Sequence, residues 1–126
     1  MMKNEFAPYD LALAMKELGF DEFTVAAYVD NELDIGGLWK DSVTSKVIHK
    51  APTYSQAFRW FRVKGYHAGI IPRYDEFHYH IKDFNTDNEY DDVYNISSYE
   101  EAELACLRKL IEIVNQNKYD SKKAEI

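Results

Sequence analysis

Apolar residues recur at helical spacing near the start of the chain, in a stretch with a clear start and stop. Leu11, Met15 and Leu18 lie on one stripe, which predicts a helix over residues 8–18. The helix starts with a proline, whose missing N–H costs nothing at a first helical position. Gly19 follows, and glycine is the residue that most often ends a helix in the left-handed conformation.

Two further helices begin at capping signals, in which a serine or threonine side chain accepts a backbone N–H of the first turn. Thr53 opens the second helix, which Gly65 ends. Serines at residues 97–98, each followed three positions later by a glutamate, open the third helix, predicted to run to Asn115. Beyond it the chain is polar, and residues 117–126 are predicted to be a frayed tail.

Stretches rich in β-branched and aromatic side chains predict four strands. They cover residues 23–29, 33–39, 66–71 (ended by Pro72) and 76–83. In the last strand Phe77, Tyr79 and Ile81 face one way, whereas Glu76, His78, His80 and Lys82 face the other. Residues 40–50 are predicted to be a loop that could contain a short strand at 43–48. The acidic segment 84–95 is predicted to be a second loop.

The elements follow the order α-β-β-α-β-β-α, which predicts an α+β fold: a four-stranded, largely antiparallel sheet packed with helices. A chain of 126 residues is long enough for one domain and one core. We therefore predict a single α+β domain over residues 1–116. Duplication of an α-β-β unit would give the same order, but the two halves share no obvious residue pattern.

The composition narrows the classes of protein to which the chain can belong. Hydrophobic residues make up 46% of it, enough for a buried core, so general disorder is not expected. The single cysteine, Cys106, excludes an internal disulfide and fits a reducing compartment. With no targeting signal at either end and no apolar run near the ~20 residues that span a bilayer, we expect a cytoplasmic protein without a membrane partner.

The charges are distributed unevenly, although the whole chain carries −7. Residues 40–73 contain seven basic residues and one acidic residue, about +6, so the remainder carries about −13. The candidate binding residues of this central block are Arg59, Trp60, Arg62, Lys64 and Arg73. They would suit an acidic partner, a phosphate group or RNA, with Trp39, Trp60 or Tyr66 available for stacking. In the alternative, the second helix only turns a solvated basic face outward beside acidic neighbours.

Trp60 has two interpretations, because it lies about 100° from Phe61 around the second helix and cannot share the inward face fully. It either covers the flank of the helix or is exposed as an anchor for a partner. Lys64 follows one turn later, a spacing that suits a cation–π contact with the indole ring.

Candidate metal and catalytic groups lack the partners that their chemistry needs. His78 and His80 share one strand face and His67 could lie on the next strand, but a structural zinc site needs a fourth ligand. The acidic residues 83–94 lack the glycine and the final glutamate of a calcium loop. Cys106 lies on the apolar side of the third helix and suits a core position. We therefore expect no cofactor and no metal, and favour a non-enzymatic protein.

Three stretches together have a familiar pattern: residues 6–9 running on to 16–22, residues 50–62 and residues 99–110. The set resembles small uncharacterised proteins encoded in phage and mobile-element regions of gut Bacteroides. The resemblance covers most of the chain and implies a viral or mobile-element context. That family has no activity and no site residues to carry over. The shared motifs also coincide with helix starts and core stripes, so they mark the fold more than the function.

Three functions from different classes follow. The first is a non-enzymatic phage or mobile-element accessory protein that binds a protein partner. The second is a binder of nucleic acid or of a phosphate-bearing small molecule through Arg59, Arg62, Lys64 and Arg73. The third, with least support, is an enzyme whose site is assembled from His67, His78 and His80.

Overall fold

The structure of the protein is a computed structural model with an α+β architecture. It describes residues 3–36, 48–92 and 96–124. Trp39, Lys40 and Lys46 lie outside the described residues, together with part of the strands predicted at 33–39 and 43–48.

The chain forms two compact units, Met1–Ala57 and Phe58–Ile126. Each contains, among its described residues, one three-stranded antiparallel sheet, so the prediction of one four-stranded sheet is wrong. The two additional strands are Ile48–Lys50 and Asn88–Asp91, in segments that the sequence pattern assigned largely to loops. The single domain over residues 1–116 stays a prediction.

The first unit combines one helix with a small sheet. Its elements are α1 (Tyr9–Glu17), β1 (Ala26–Val29), β2 (Glu32–Ile35) and β3 (Ile48–Lys50), and α2 (Tyr54–Val63) begins in it. The strand order is β2-β1-β3, and α1 packs against β3. Its buried hydrophobic residues include Phe6, Leu11, Ala12, Met15, Phe20, Ala26, Ala27 and Ala51. Ala26 and Ala27 of β1 are fully buried, and Ala26 packs in one cluster with Phe6 and Ala51.

α1, flanked by Pro8 and Leu18, confirms the helix predicted over residues 8–18. Its C-terminal end forms a Schellman motif. The Phe20 N–H donates to the Met15 carbonyl and the Gly19 N–H to the Lys16 carbonyl, both at 3.0 Å. Gly19 has a φ of +104°, a conformation that glycine adopts without a Cβ penalty. These carbonyl groups of α1 are therefore satisfied, and the chain turns back at the buried ring of Phe20.

The start of α2 also lies where the capping signal predicts it. The Gln56 N–H donates to Thr53 Oγ1 at 3.1 Å, which satisfies one of the free donors of the first turn. The Gln56 side chain does not complete a capping box, because its Nε2 donates to the Phe23 carbonyl at 2.7 Å. α2 ends at Val63, and Gly65 follows with a φ of +97°.

The second unit places a long helix on a meander of three strands. Its elements are β4 (Tyr66–Arg73), β5 (Glu76–Asp83), β6 (Asn88–Asp91) and α3 (Tyr99–Ala124), together with the second half of α2. The order is β4-β5-β6, and α3 packs against β4 and β5. Phe61, Ile81, Leu107 and Leu110 are fully buried. Because the middle strand is the second of three here and the first of three in the other unit, the strand orders do not support duplication.

Pro72 lies inside β4 instead of ending it, which extends the predicted strand to Arg73. Its Cα partner on β5 is Phe77, whose N–H donates to the Ile96 carbonyl at 2.8 Å and so points away from β4. Pro72 therefore belongs to a pair without hydrogen bonds between the two strands, and its missing N–H costs the ladder nothing.

The third helix starts at Ser98, the second of the two serines in the predicted capping signal. The Glu101 N–H donates to Ser98 Oγ at 3.1 Å, whereas Ser97 Oγ donates to the Glu101 side chain at 2.9 Å. α3 continues to Ala124, beyond the predicted end at Asn115 and through most of the segment predicted to fray. Asn117 anchors this extension, since its Nδ2 reaches two buried groups of the sheet.

One of those groups is the carboxylate of Asp83, which is fully buried at the end of β5. Its Oδ1 accepts from the Asn85 N–H at 2.9 Å and from Asn85 Nδ2 at 3.1 Å. Its Oδ2 accepts from Thr86 Oγ1 and from Asn117 Nδ2, both at 2.9 Å. Burial raises the pKa of Asp83, but the hydrogen bonds outweigh burial and hold the pKa below its usual value.

Candidate binding surface

Four of the five predicted binding residues lie on α2 or directly after it, and they divide into exposed and buried members. Arg59, Arg62 and Lys64 are exposed. Trp60 is only 8% exposed, and its ring packs edge-on against Phe61 with 5.0 Å between the centroids. Burial along the helix flank is thus confirmed for Trp60, and the indole is not available to stack on a base.

Lys64 makes the cation–π contact that the spacing predicts, with Nζ 4.6 Å from the centroid of the Trp60 ring. The contact holds the ammonium near α2. Arg62 makes no ion pair with any described residue, so its charge is open to solvent.

Arg73 lies apart from the other four. It is the last residue of β4, whereas Lys64 precedes the first, and the strand between them spans about 24 Å at 3.4 Å per residue. The structure therefore does not bring the five predicted residues together into one patch. Arg73 belongs instead to the face of the β4–β5–β6 sheet that carries the outward side chains of β5.

We call this face the outer face; it consists of His67, Gly69, Ile71 and Arg73 of β4, Glu76, His78, His80 and Lys82 of β5, and Glu89 and Asp91 of β6. The strand register places His78, His80 and Lys82 on one face, as predicted. Of the residues predicted to face inward, Ile81 is fully buried, whereas Phe77 and Tyr79 are half-buried. Direct Cα partners across the strands share a face, which fixes the neighbours of each side chain.

His78 lies between the carboxylate of Glu76, on the outer face, and that of Asp92, directly after β6. Its Nδ1 is 2.9 Å from Asp92 Oδ2, and its Nε2 is 3.6 Å from Glu76 Oε2. The Asp92 side chain is only 5% exposed and its Oδ1 also accepts the Tyr79 N–H at 3.1 Å, so the carboxylate is fixed in place. Asp92 in turn fixes the orientation of the imidazole ring.

His80, two residues further along β5, also lies between two carboxylates. Its Nδ1 is 2.7 Å from Asp91 Oδ1 and its Nε2 is 3.4 Å from Glu89 Oε1. Lys82 continues the row with its Nζ 2.6 Å from Asp87 Oδ1. This hydrogen bond raises the pKa of Lys82 and lowers that of Asp87, so both groups are charged at neutral pH.

Apolar groups interrupt the charged row on the outer face. Ile71 of the outer face is 41% exposed beside His78. Phe84, which directly follows β5 and borders this face, is 62% exposed, and its ring lies 4.8 Å from the ring of His67. A Cβ added at Gly69 would meet nothing within 4 Å, so the face is open above this glycine. A pocket of about 270 Å³ lies at the Arg73 end, lined by Ile71, Arg73, His78, Tyr79, Asp91 and Asp92.

The histidines do not assemble a metal centre in the described part of the chain, where no three ligand-type side chains are placed to share an ion. His67 packs against the Phe84 ring, and the ring nitrogens of His78 and His80 contact carboxylates. The acidic segment compared with a calcium loop begins at Asp83, whose carboxylate is occupied by N–H and O–H donors.

Cys106 is fully buried within α3, as the sequence predicts for a core residue. Burial raises the pKa of its thiol to about 12, with a further contribution from the nearby Glu103 carboxylate. A thiol that is neutral at physiological pH and shielded from solvent is a poor nucleophile.

We predict that iodoacetamide does not modify native protein at pH 8 within the time in which a free thiol reacts completely. In urea, one equivalent is incorporated, as mass spectrometry would show. A Cys106→Ala/Ser121→Cys variant is the control, since Ser121 is exposed on α3 and its replacement thiol should react without urea. Rapid modification of Cys106 in the native protein would contradict its burial.

Comparisons with protein-family models, with curated proteins and with solved structures found no match to this chain. The resemblance to phage and mobile-element proteins therefore stays a prediction. None of the helices in the described part of the chain has both the length and the apolar character that a membrane span requires.

The sequence pattern missed the acidic half of the outer face. Glu89 and Asp91 alternate with Asn88 and Tyr90, which is the period of a strand, but only Tyr90 in this stretch favours a sheet. The sequence carries one signal for this half: Glu89 and Asp91 are two residues apart, as Lys82 and His80 are, and a short turn brings the two pairs opposite each other. Asp92, the partner of His78, lies beyond the end of β6 and no periodicity marks it.

Proposed function

We propose that the protein is a non-enzymatic accessory protein of a phage or mobile element that binds a protein partner through the outer face of the β4–β5–β6 sheet. The observation that carries this proposal is that exposed apolar side chains lie on that face beside charged side chains fixed by hydrogen bonds. The phage or mobile-element context is supported by the resemblance of three stretches of the sequence alone.

The outer face has the composition of a protein-binding surface. Ile71 and Phe84 supply apolar area, and the neighbouring ionic side chains are fixed by hydrogen bonds, so little side-chain entropy remains to be lost on binding. Interfaces combine such apolar centres with a polar rim. The open space above Gly69 gives a partner side chain room to approach the backbone of β4.

The charge of the outer face selects the chemistry of the partner. The carboxylates on or touching the face are Glu76, Asp87, Glu89, Asp91 and Asp92, and the permanent cations are Arg73 and Lys82. Carboxylates exceed cations, so the partner presents a segment with lysine or arginine beside an apolar side chain. The same excess of negative charge repels nucleic acid from this face.

The partner proposal predicts that charge reversal on the outer face removes binding while charge reversal on α2 does not. The test variant is Glu89→Lys/Asp91→Lys, since both side chains are exposed, at 59% and 71%. Repulsion of the basic segment should weaken binding at least about tenfold. The readout is the set of proteins captured by tagged protein from lysates of a Bacteroides host and of phage-infected cells, followed by titration of any captured protein.

The matched control carries the same number of reversed charges on the other surface, as Arg59→Glu/Arg62→Glu. A protein that is captured by wild type and by the α2 variant but lost by the outer-face variant supports the proposal. Capture that survives Glu89→Lys/Asp91→Lys, or that is lost equally with both variants, contradicts it. Circular dichroism confirms that the variants are folded.

The second candidate function is binding of nucleic acid or a phosphate-bearing small molecule through Arg59, Arg62 and Lys64. It is favoured by one observation: Arg62 is exposed and makes no ion pair among the described residues. Two others weaken it, because Trp60 is buried and Arg73 lies at the far end of β4. Salt-dependent binding of RNA that is lost in Arg59→Glu/Arg62→Glu would support this function over the first.

A further inference from the structure

A pocket of about 440 Å³ lies in the first unit, between the C-terminal end of α1 and β3. Its lining residues are Lys16, Gly19, Phe20, Asp21, Ile48 and Lys50. Pockets that bind small molecules range from about 300 to 1,000 Å³ and are mostly apolar with a few convergent polar groups. The volume and the lining therefore fit a small ligand.

Two ammonium groups line this pocket from different elements. Lys50 Nζ donates to the Asp21 carbonyl at 2.6 Å, which holds the side chain of β3 against the turn after α1. Lys16 Nζ is 3.5 Å from His49 Nδ1, near enough for the ammonium to donate to the imidazole. An ammonium has three donors, so each lysine keeps N–H groups for a ligand.

The charges of the described lining residues sum to a positive value. Asp21 contributes one carboxylate against the two lysines. The C-terminal end of a helix ordinarily presents unpaired carbonyl groups that repel an anion. Here the Schellman motif satisfies the carbonyls of Met15 and Lys16 with the N–H groups of Phe20 and Gly19, which reduces that repulsion.

Phe20 and Ile48 form the apolar wall. Phe20 is 4% exposed and is fixed by its position in the Schellman motif, and Ile48 is half-buried at the start of β3. An apolar group placed against them would lose contact with water on one side, which favours binding by about 25 cal/mol for each Å² removed from water.

We propose that this pocket binds an anionic small molecule with an apolar body, such as an aliphatic or aromatic carboxylate, with the charged group between Lys16 and Lys50. The apolar body lies against Phe20 and Ile48. This site belongs to the first unit and is independent of the outer face, so it adds a ligand to the proposed partner-binding protein.

The test uses the full ¹⁵N-labelled chain and octanoate as the probe, with octylammonium and inorganic phosphate as comparison probes. Octanoate should shift the amide signals of Gly19, Phe20 and Lys50 in a saturable manner. Lys16→Gln/Lys50→Gln should weaken octanoate binding about tenfold or more, since two charge-assisted contacts are lost. Lys3→Gln, an exposed lysine of the same unit outside the pocket, should leave the affinity unchanged.

A Lys50→Arg variant guards against a loss of structure, because it keeps the charge and should keep binding. Equal binding of octylammonium at the same residues would overturn the proposal, since the charge would then play no part. Phosphate binding as tight as octanoate binding would overturn the role of the apolar wall. Unchanged octanoate affinity in Lys16→Gln/Lys50→Gln would overturn the site itself.

Discussion

Asp83→Ala is expected to lower the free energy of unfolding by about 3 kcal/mol, because the donors around the buried carboxylate lose their acceptor together. These donors belong to Asn85, Thr86 and Asn117, so the change loosens both the turn before β6 and the contact with α3. Urea denaturation followed by far-UV circular dichroism measures the effect. Asp75→Ala is the control, since Asp75 is exposed and should change stability by less than about 0.5 kcal/mol.

The same carboxylate predicts a pH dependence. The pKa of Asp83 is lowered in the folded protein relative to about 3.9 for an unfolded aspartate. Its contribution to stability is therefore fully present above about pH 4 and is lost as the pH falls through the folded value. The stability difference between wild type and Asp83→Asn should be constant from pH 5 to 7 and shrink below pH 4. A difference that grows on acidification would contradict the lowered pKa.

Gly65→Ala is expected to cost about 3 kcal/mol, through backbone strain and through a steric clash. A φ of +97° is unfavourable for alanine by about 1–2 kcal/mol. The new Cβ would lie 2.8 Å from Asn85 Nδ2. Asn85 cannot swing aside freely, since Nδ2 donates to the Lys64 carbonyl at 3.0 Å and to Asp83. Displacing it adds the loss of about one hydrogen bond or more.

Two other glycines separate the strain from the clash. Gly19 has a φ of +104° but free space where a Cβ would be, so Gly19→Ala should cost only the backbone strain. Gly69 has neither constraint, so Gly69→Ala should leave stability within about 0.5 kcal/mol of wild type. If Gly65→Ala cost no more than Gly19→Ala in the same urea titrations, the contact with Asn85 would have no energetic weight.

The helices were predictable from the sequence because their ends carry local signals. Thr53 and Ser98 act within three residues of themselves, and Gly19 acts on the turn that it ends. The end of α3 was not predictable, because Asn117 anchors it through hydrogen bonds to Tyr66 and Asp83, which lie far away in sequence. A polar segment shows no local sign of order when the groups that anchor it are distant in the sequence.

The division into two sheets was not predictable for a related reason. Ile48–Lys50 is a strand because it pairs with β1, and Asn88–Asp91 is a strand because the turn at Asp83 returns it to β5. Both strands are short. Asn88–Asp91 also contains asparagine and aspartate, which are depleted in strands. Their pairing partners, and not their own residues, decide their conformation.

Of the outer face, the side chains of β5 were predictable from the sequence. Alternation along β5 placed His78, His80 and Lys82 on one face correctly, since period two is a local property. Arg73 was grouped with Arg62 because they are close in sequence, but an extended strand carries them apart. The contact of His78 with Asp92 depends on the register of β6 against β5, which no local pattern contains.

Pro72 has a consequence for self-association. In the described residues β4 is the first strand of its sheet, and an exposed strand edge can recruit the same strand of another copy into a growing fibre. Pro72 has no backbone N–H to donate to an incoming strand at this edge of β4, and the charged Arg73 side chain follows immediately. Two copies meeting along β4 would therefore have to end their pairing near this point, which protects the molecule from aggregating edge to edge.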